Sequence, residues 1–157
     1  MNKIIILITA LLISSTCAMA QKGEKTVGVL AGYTTENQSA LAGLFFQYRC
    51  SSLLRLSPDC QFVIKNNDHS AFLFNGNAHF LIGTSDKTNI YPIVGITYQN
   101  WKYYNNRGEN QNRFGGNFGA GFEIIATPTL KISVEAKYSL VKNFSSGNFM
   151  ASIGYLF

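Results

Sequence analysis

From residue 26 to residue 157 the chain alternates, apolar then small or polar, in eight successive runs: 26–34, 38–50, 53–66, 70–83, 89–104, 113–126, 129–142 and 147–157. A period of two marks a strand whose two faces meet different surroundings. The apolar parity of these runs collects 43 positions, from Val27, Val29, Ala31 and Tyr33 in the first to Phe149, Ala151, Ile153, Tyr155 and Phe157 in the last. None is charged, and none is Asn, Gln, Ser or Thr, although a chain that is 13% charged would place about six charges there by chance. The connectors are turn sequences, among them Thr35-Glu36-Asn37, Ser51-Ser52, Asn67-Asp68-His69 and Thr127-Pro128-Thr129. No helical period, long internal repeat or linker competes with this pattern. It predicts one all-β domain of consecutive hairpins.

The opposite parity is small and polar: Gly28, Gly32, Gln47, Ser57, Asn75, Asn77, Gly95, Asn117, Gly119 and Gly121 belong to it. So do most of the charges of the strands. Arg49, Arg55, Lys65, Arg113, Lys131 and Lys137 stand against Asp59, Glu123 and Glu135, with His79 among them.

Alternation alone does not say which face is outside, since a soluble barrel turns its apolar face in and a membrane barrel turns it out. Volume decides for the membrane. The interior of an eight-stranded barrel is just wide enough for side chains to fill it, and 43 apolar residues rich in Phe and Tyr would overfill it. The scarcity of charge agrees, because a soluble exterior is rich in Lys and Glu. Tyr33, Tyr48, Tyr98 and Tyr155 fall near strand ends, as interfacial aromatics do. The expected fold is an eight-stranded antiparallel up-and-down transmembrane β-barrel, closed because an open edge in lipid leaves backbone groups unpaired. Pro58 and Pro92 lie inside strands and each removes a ladder donor, which predicts bulges or interfacial positions there. A tight turn at Thr127-Pro128-Thr129 predicts Glu123 opposite Lys131, both pointing inward.

The first twenty residues read separately. Lys3 precedes the apolar run Ile4–Ile13, and Ala18-Met19-Ala20 fits a small-x-small cleavage site. This predicts a signal peptide over 1–20 and a barrel domain over 21–157. Cys17 as a lipidated residue ranks lower, because the Leu usual three positions upstream is missing.

The segment Phe149-Met150-Ala151-Ser152-Ile153-Gly154-Tyr155-Leu156-Phe157 ends the chain on alternating apolar residues and a terminal Phe. Together with 89–98, 112–123 and 133–138 it resembles the small outer-membrane β-barrel proteins of OmpA/OmpX type, a porin-like family. The resemblance covers essentially all of 21–157. It implies a place in the cell outer membrane of a Gram-negative bacterium, among outer-membrane lipids. It also implies termini and turns 51–52, 84–88 and 126–129 in the periplasm, and loops 34–37, 66–69, 105–112 and 143–147 outside. Phe149, Ile153, Tyr155 and Phe157 would be the C-terminal signal read by the barrel assembly machinery.

The inward set Arg49, Arg55, Asp59, Lys65, His79, Arg113, Glu123, Lys131, Glu135 and Lys137 reads as a lumen polar network, its charges paired because buried charges need partners. The competing reading is an anion-leaning narrow conduit. Trp101, Lys102, Tyr103, Tyr104 and Arg107 form a polar-aromatic stretch able to contact a surface partner, or simply to mark the interface. Asp68-His69-Ser70 offers acid, base and nucleophile, but adjacent residues alternate faces. Cys50 and Cys60 are expected on the lipid face without a disulfide. No metal-ligand spacing and no cofactor motif occurs. A net charge of +5 spread without a basic block gives no nucleic-acid footprint. The sequence therefore predicts a monomeric, non-enzymatic membrane barrel with a structural, surface or minor transport role. A soluble lipocalin-like barrel with an apolar ligand and an outer-membrane lipid hydrolase are the alternatives.

Overall fold

The computed structural model describes residues 23–35, 38–66, 69–85, 87–103, 111–142 and 145–157. The expected signal peptide, 1–20, and Asp68, Tyr104 and Arg107 lie outside this set. The strands are β1 (Lys25–Thr34), β2 (Ser39–Arg49), β3 (Leu54–Asn66), β4 (His69–Phe80), β5 (Ile82–Ser85), β6 (Thr88–Tyr103), β7 (Gln111–Thr127), β8 (Leu130–Val141) and β9 (Ser146–Leu156). Neighbours in sequence pair antiparallel, except that β4 and β5 both pair with β6 and not with each other, and β1 pairs with β9, so the sheet closes.

β4 and β5 are two pieces of one barrel strand, which makes eight around the barrel. Both pair with β6 in the same register, Ala78 opposite Val94 and Ile82 opposite Ile90, with the ladder interrupted between them. The interruption lies opposite Pro92, which has no N–H to donate. Pro58 acts likewise: the β2–β3 ladder resumes in unchanged register after a gap beside it, between Phe45–Asp59 and Tyr48–Leu56. The expected bulges are therefore absent at both prolines. A missing donor costs rungs, and the flanking rungs hold the register.

The ladder sets the barrel's shape. Followed once around from Lys25 through Tyr48, Leu56, Ala78, Val94, Phe118, Tyr138 and Gly147, it returns to β1 beside Thr35, ten residues further on. A stagger of that size across eight strands corresponds to a tilt of about 40° and a narrow interior.

The two parities separate as the alternation predicts. Phe114, Leu44 and Ile96 are 75%, 64% and 65% exposed, and Val29, Phe62, Phe74, Phe118, Val134 and Phe149 also face outward. Gln47, Ser57, Asn77, Thr97, Asn117 and Ser133 are buried. An apolar exterior around a largely polar interior is the inverse of a soluble ligand-binding barrel. Cys50 departs from expectation. It is buried in the β2–β3 turn, where its N–H reaches Leu54 O at 3.0 Å, while Cys60 lies on the outward parity; no disulfide joins the two.

Candidate functional site: the lumen

The lumen is built in three storeys. At the end holding the termini, Arg55 of β3 donates from Nη1 to Glu123 Oε2 of β7 at 2.7 Å. The Glu123 carboxylate also accepts from Asn89 Nδ2 at 2.9 Å and lies 3.6 Å from Lys131 Nζ. Lys131 donates to Thr26 Oγ1 and Gln47 Oε1. Arg55 Nη2 lies 3.1 Å from His79 Nδ1. A guanidinium can only donate, so Nδ1 is the acceptor and the neutral ring carries its proton on Nε2. The Tyr91 ring stacks on His79 with centroids 4.7 Å apart and lies 4.8 Å beneath the Arg55 guanidinium.

The Glu123–Lys131 pair forms, but in a different register from the expected one. The hairpin is centred on Pro128, and Glu123 stands opposite Ser133. Both side chains point inward, and the long Lys131 chain reaches back diagonally along the same face.

The middle storey is organised by Asp59. Its Oδ1 accepts from Gln61 Nε2 at 2.7 Å and Asn75 Nδ2 at 2.6 Å, and its Oδ2 from Asn77 Nδ2 at 2.8 Å and Lys137 Nζ at 3.2 Å. Lys137 also lies 3.7 Å from Glu135, which accepts from Tyr91 Oη at 2.9 Å and so joins this storey to the one below. On the far side Asn117 links Asn75 and Asn77 to Ser139, and Ser139 accepts from Asn148. Buried polar groups are tolerable only when satisfied in this way.

The third storey, toward the end opposite the termini, is apolar. Leu30, Leu41, Phe45, Val63, Ala71, Leu73, Trp101 and Met150 pack together inside the barrel. Trp101 is 4% exposed, and its indole N–H donates to Gln99 Oε1 at 2.9 Å. The expectation of a surface or interfacial Trp101 is thus corrected. It lies on the inward parity of β6, and an indole with a hydrogen-bond partner fills lumen volume well. Lys102, its neighbour, is exposed on the outward face. Tyr103 ends β6 without a described side chain.

The predicted network divides on the same basis. Arg55, Asp59, His79, Glu123, Lys131, Glu135 and Lys137 are brought together. Arg49 and Arg113 stand at opposite rims instead. Arg49 pairs with Glu24 at 3.3 Å and donates to the carbonyls of Ser51 and Ser52, capping a turn. Arg113 donates to Lys142 O. The Lys65 side chain lies outside the described set. Among the described residues the central lumen therefore holds three cations, Arg55, Lys131 and Lys137, against three carboxylates, Asp59, Glu123 and Glu135. The balance removes the anion-leaning character that a count by parity suggested.

Sequence reading missed Tyr91, and with it the apolar storey. Both sit on the inward parity, but their residue types match the outward face. The available signal was glycine. A Cβ at Gly121, directly opposite on β7, would lie 2.4 Å from the Tyr91 ring. One at Gly28 would lie 2.6 Å, and one at Gly154 3.0 Å, from the Phe45 ring. Missing side chains across the ladder make room for the large ones. Between the Asp59 storey and the apolar one a void of about 10 Å³ remains, lined by Leu30, Phe45, Gln47, Ser57, Asp59, Glu135, Met150 and Ser152. That is scarcely room for one water.

A closed barrel with this interior and an apolar exterior aligns with solved structures along nearly its whole length. The N-terminal β-barrel domain of Pseudomonas aeruginosa OprF superposes with a TM-score of 0.76 at 15% identity, over 87% of this chain and 98% of that one. The chain has the fold of the eight-stranded outer-membrane barrels. Neisserial surface protein A aligns with a TM-score of 0.71 at 16% identity, over 88% of this chain and 99% of its own. The outer membrane protein OprG of Pseudomonas aeruginosa aligns with a TM-score of 0.61 at 12% identity, over 88% and 97%. No family model and no curated protein matches the sequence. What the small outer-membrane barrels share with this one is architecture, and at these identities the lumen side chains are this chain's own.

Proposed function

We propose that this protein is a non-enzymatic integral protein of the outer membrane, exported by cleavage before Gln21 and inserted as a monomer with its termini in the periplasm. Its lumen is occluded, and its role is structural or exerted at the surface, with at most minor transport. The observation that carries this reading is the charge-balanced network of Arg55, Glu123, Lys131, Asp59, Glu135 and Lys137 across the interior, surmounted by the packed cluster around Trp101. Buried ions held by several partners each are expensive to displace, so a hydrated solute has no low-energy way through.

The hydrolase alternative has little support. Ser70 pairs in register with Lys102, on the parity of Phe72 and Phe74, whereas the next residue, Ala71, lies in the interior cluster. Phe149, Ile153, Tyr155 and Phe157, outward-facing and more than half exposed, present the surface that the assembly machinery would read.

The test is planar-bilayer conductance of the purified protein, beside outer-membrane fractionation after a high-salt wash. Retention in the membrane with no steady openings is expected. Steady openings in the wild-type protein would overturn the occluded lumen, and release by salt would overturn the membrane location.

A further inference from the structure

On the outward face at the loop end, β3, β4 and β6 bring four aromatic residues together. Phe62 stands opposite Phe72, and Phe74 opposite Tyr98. The Phe72 and Phe74 rings are 4.8 Å apart, tilted, and Tyr98 packs against Phe114 at 4.9 Å. Between them runs a groove of about 390 Å³. Its upper edge changes character: Ser70 stands opposite Lys102, and Asn100 opposite Phe72, so a hydroxyl, a carboxamide and an ammonium border the apolar floor.

Lys102 is unusual in its place. Among the described strand residues of the loop half, it is the one charged residue on the outward parity. No carboxylate pairs with it among the described residues. Every other strand cation of the inner network is matched by an acid, whereas this one is left at the level where aromatic side chains meet the headgroup region. An amphipathic groove with a cation above and aromatic rings below complements one kind of molecule, a lipid with a net-negative phosphorylated headgroup.

We propose that this groove binds such a lipid, with an acyl chain along Phe62, Phe72, Phe74 and Tyr98 and the phosphate on Lys102. The second amide hydrogen of Asn100, whose first goes to Asn112, completes the headgroup contacts. The site rests on the membrane reading above and adds a specific ligand class and position to it.

The full-length mature protein, reconstituted in nanodiscs of equal phosphatidylcholine and phosphatidylglycerol, is released and its retained lipids are weighed by native mass spectrometry. Wild type should retain phosphatidylglycerol about fivefold over phosphatidylcholine, the preference one basic residue beside anionic lipid supplies. Lys102→Gln should bring the ratio to near parity, and Phe72→Ala should lower retention of both lipids. Lys25→Gln, an outward lysine at the opposite end, should change nothing. An unaltered ratio in Lys102→Gln overturns the site, as does displacement of the lipid by inorganic phosphate, which would mean a bare anion site. A chain that never shows the heat-dependent gel mobility of a folded barrel fails the membrane reading as well. A chain that shows it with an unaltered Lys102→Gln ratio fails this proposal alone.

Discussion

The Tyr91 ring occupies the space that a side chain at residue 121 would fill, directly across the β6–β7 ladder. The glycine is there for the tyrosine. The tyrosine in turn stacks on His79, underlies Arg55 and donates to Glu135. Gly121→Ala should therefore destabilise the barrel by about 1–3 kcal/mol, the usual range for overpacking. Urea unfolding in lipid vesicles measures it. In a Tyr91→Ala background the same substitution should be far milder, and equal effects in both backgrounds would refute the coupling.

Arg55 and Glu123 are each 3% exposed or less at the side chain, 2.7 Å apart. Removing either partner strands a buried charge, so Arg55→Ala and Glu123→Ala should each cost about 3–5 kcal/mol. The double variant should cost clearly less than their sum, which a double-mutant cycle on unfolding free energies reads directly. The single variants should also be the ones that raise bilayer conductance.

Asp59 has four donors around it, and Lys137 lies within ion-pair distance of both Asp59 and Glu135. Lys137→Met keeps the volume and removes the charge, leaving two carboxylates uncompensated. It should lower stability by about 3 kcal/mol, whereas Lys102→Met, on the exposed face, should stay within about 0.5 kcal/mol. Similar losses for the two would mean that the middle storey is not held by its charges.

Trp101 is the chain's single tryptophan, so intrinsic fluorescence reports from inside the barrel. Emission should be blue-shifted, weakly quenched by aqueous iodide, and weakly quenched by brominated lipid as well. Strong quenching by brominated lipid would place the indole on the membrane face and contradict the inward assignment.

Strand number, the outward face and the inward direction of Arg55, Asp59, His79, Glu123 and Lys137 were legible in the alternation, because a period of two commits every second side chain to one face. The apolar storey was not. Phe45, Leu73, Trp101 and Met150, like Tyr91 below them, have the composition of the lipid face on the parity of the lumen, and glycines make the room for Phe45, Tyr91 and Met150. Nor could parity separate Arg49 and Arg113 at the rims from Arg55 in the centre, since it gives direction and says nothing of height along the barrel axis.

The sequence by itself therefore determined the topology, the two surfaces and the low charge of both, all consequences of local periodicity. Only the tertiary structure decided which charges meet. The closing β1–β9 ladder and its ten-residue stagger set the height of each strand. Height brings Arg55 to Glu123 across 68 residues of chain. Charges separated that far in sequence are matched by the register of the whole sheet, and no local pattern encodes it.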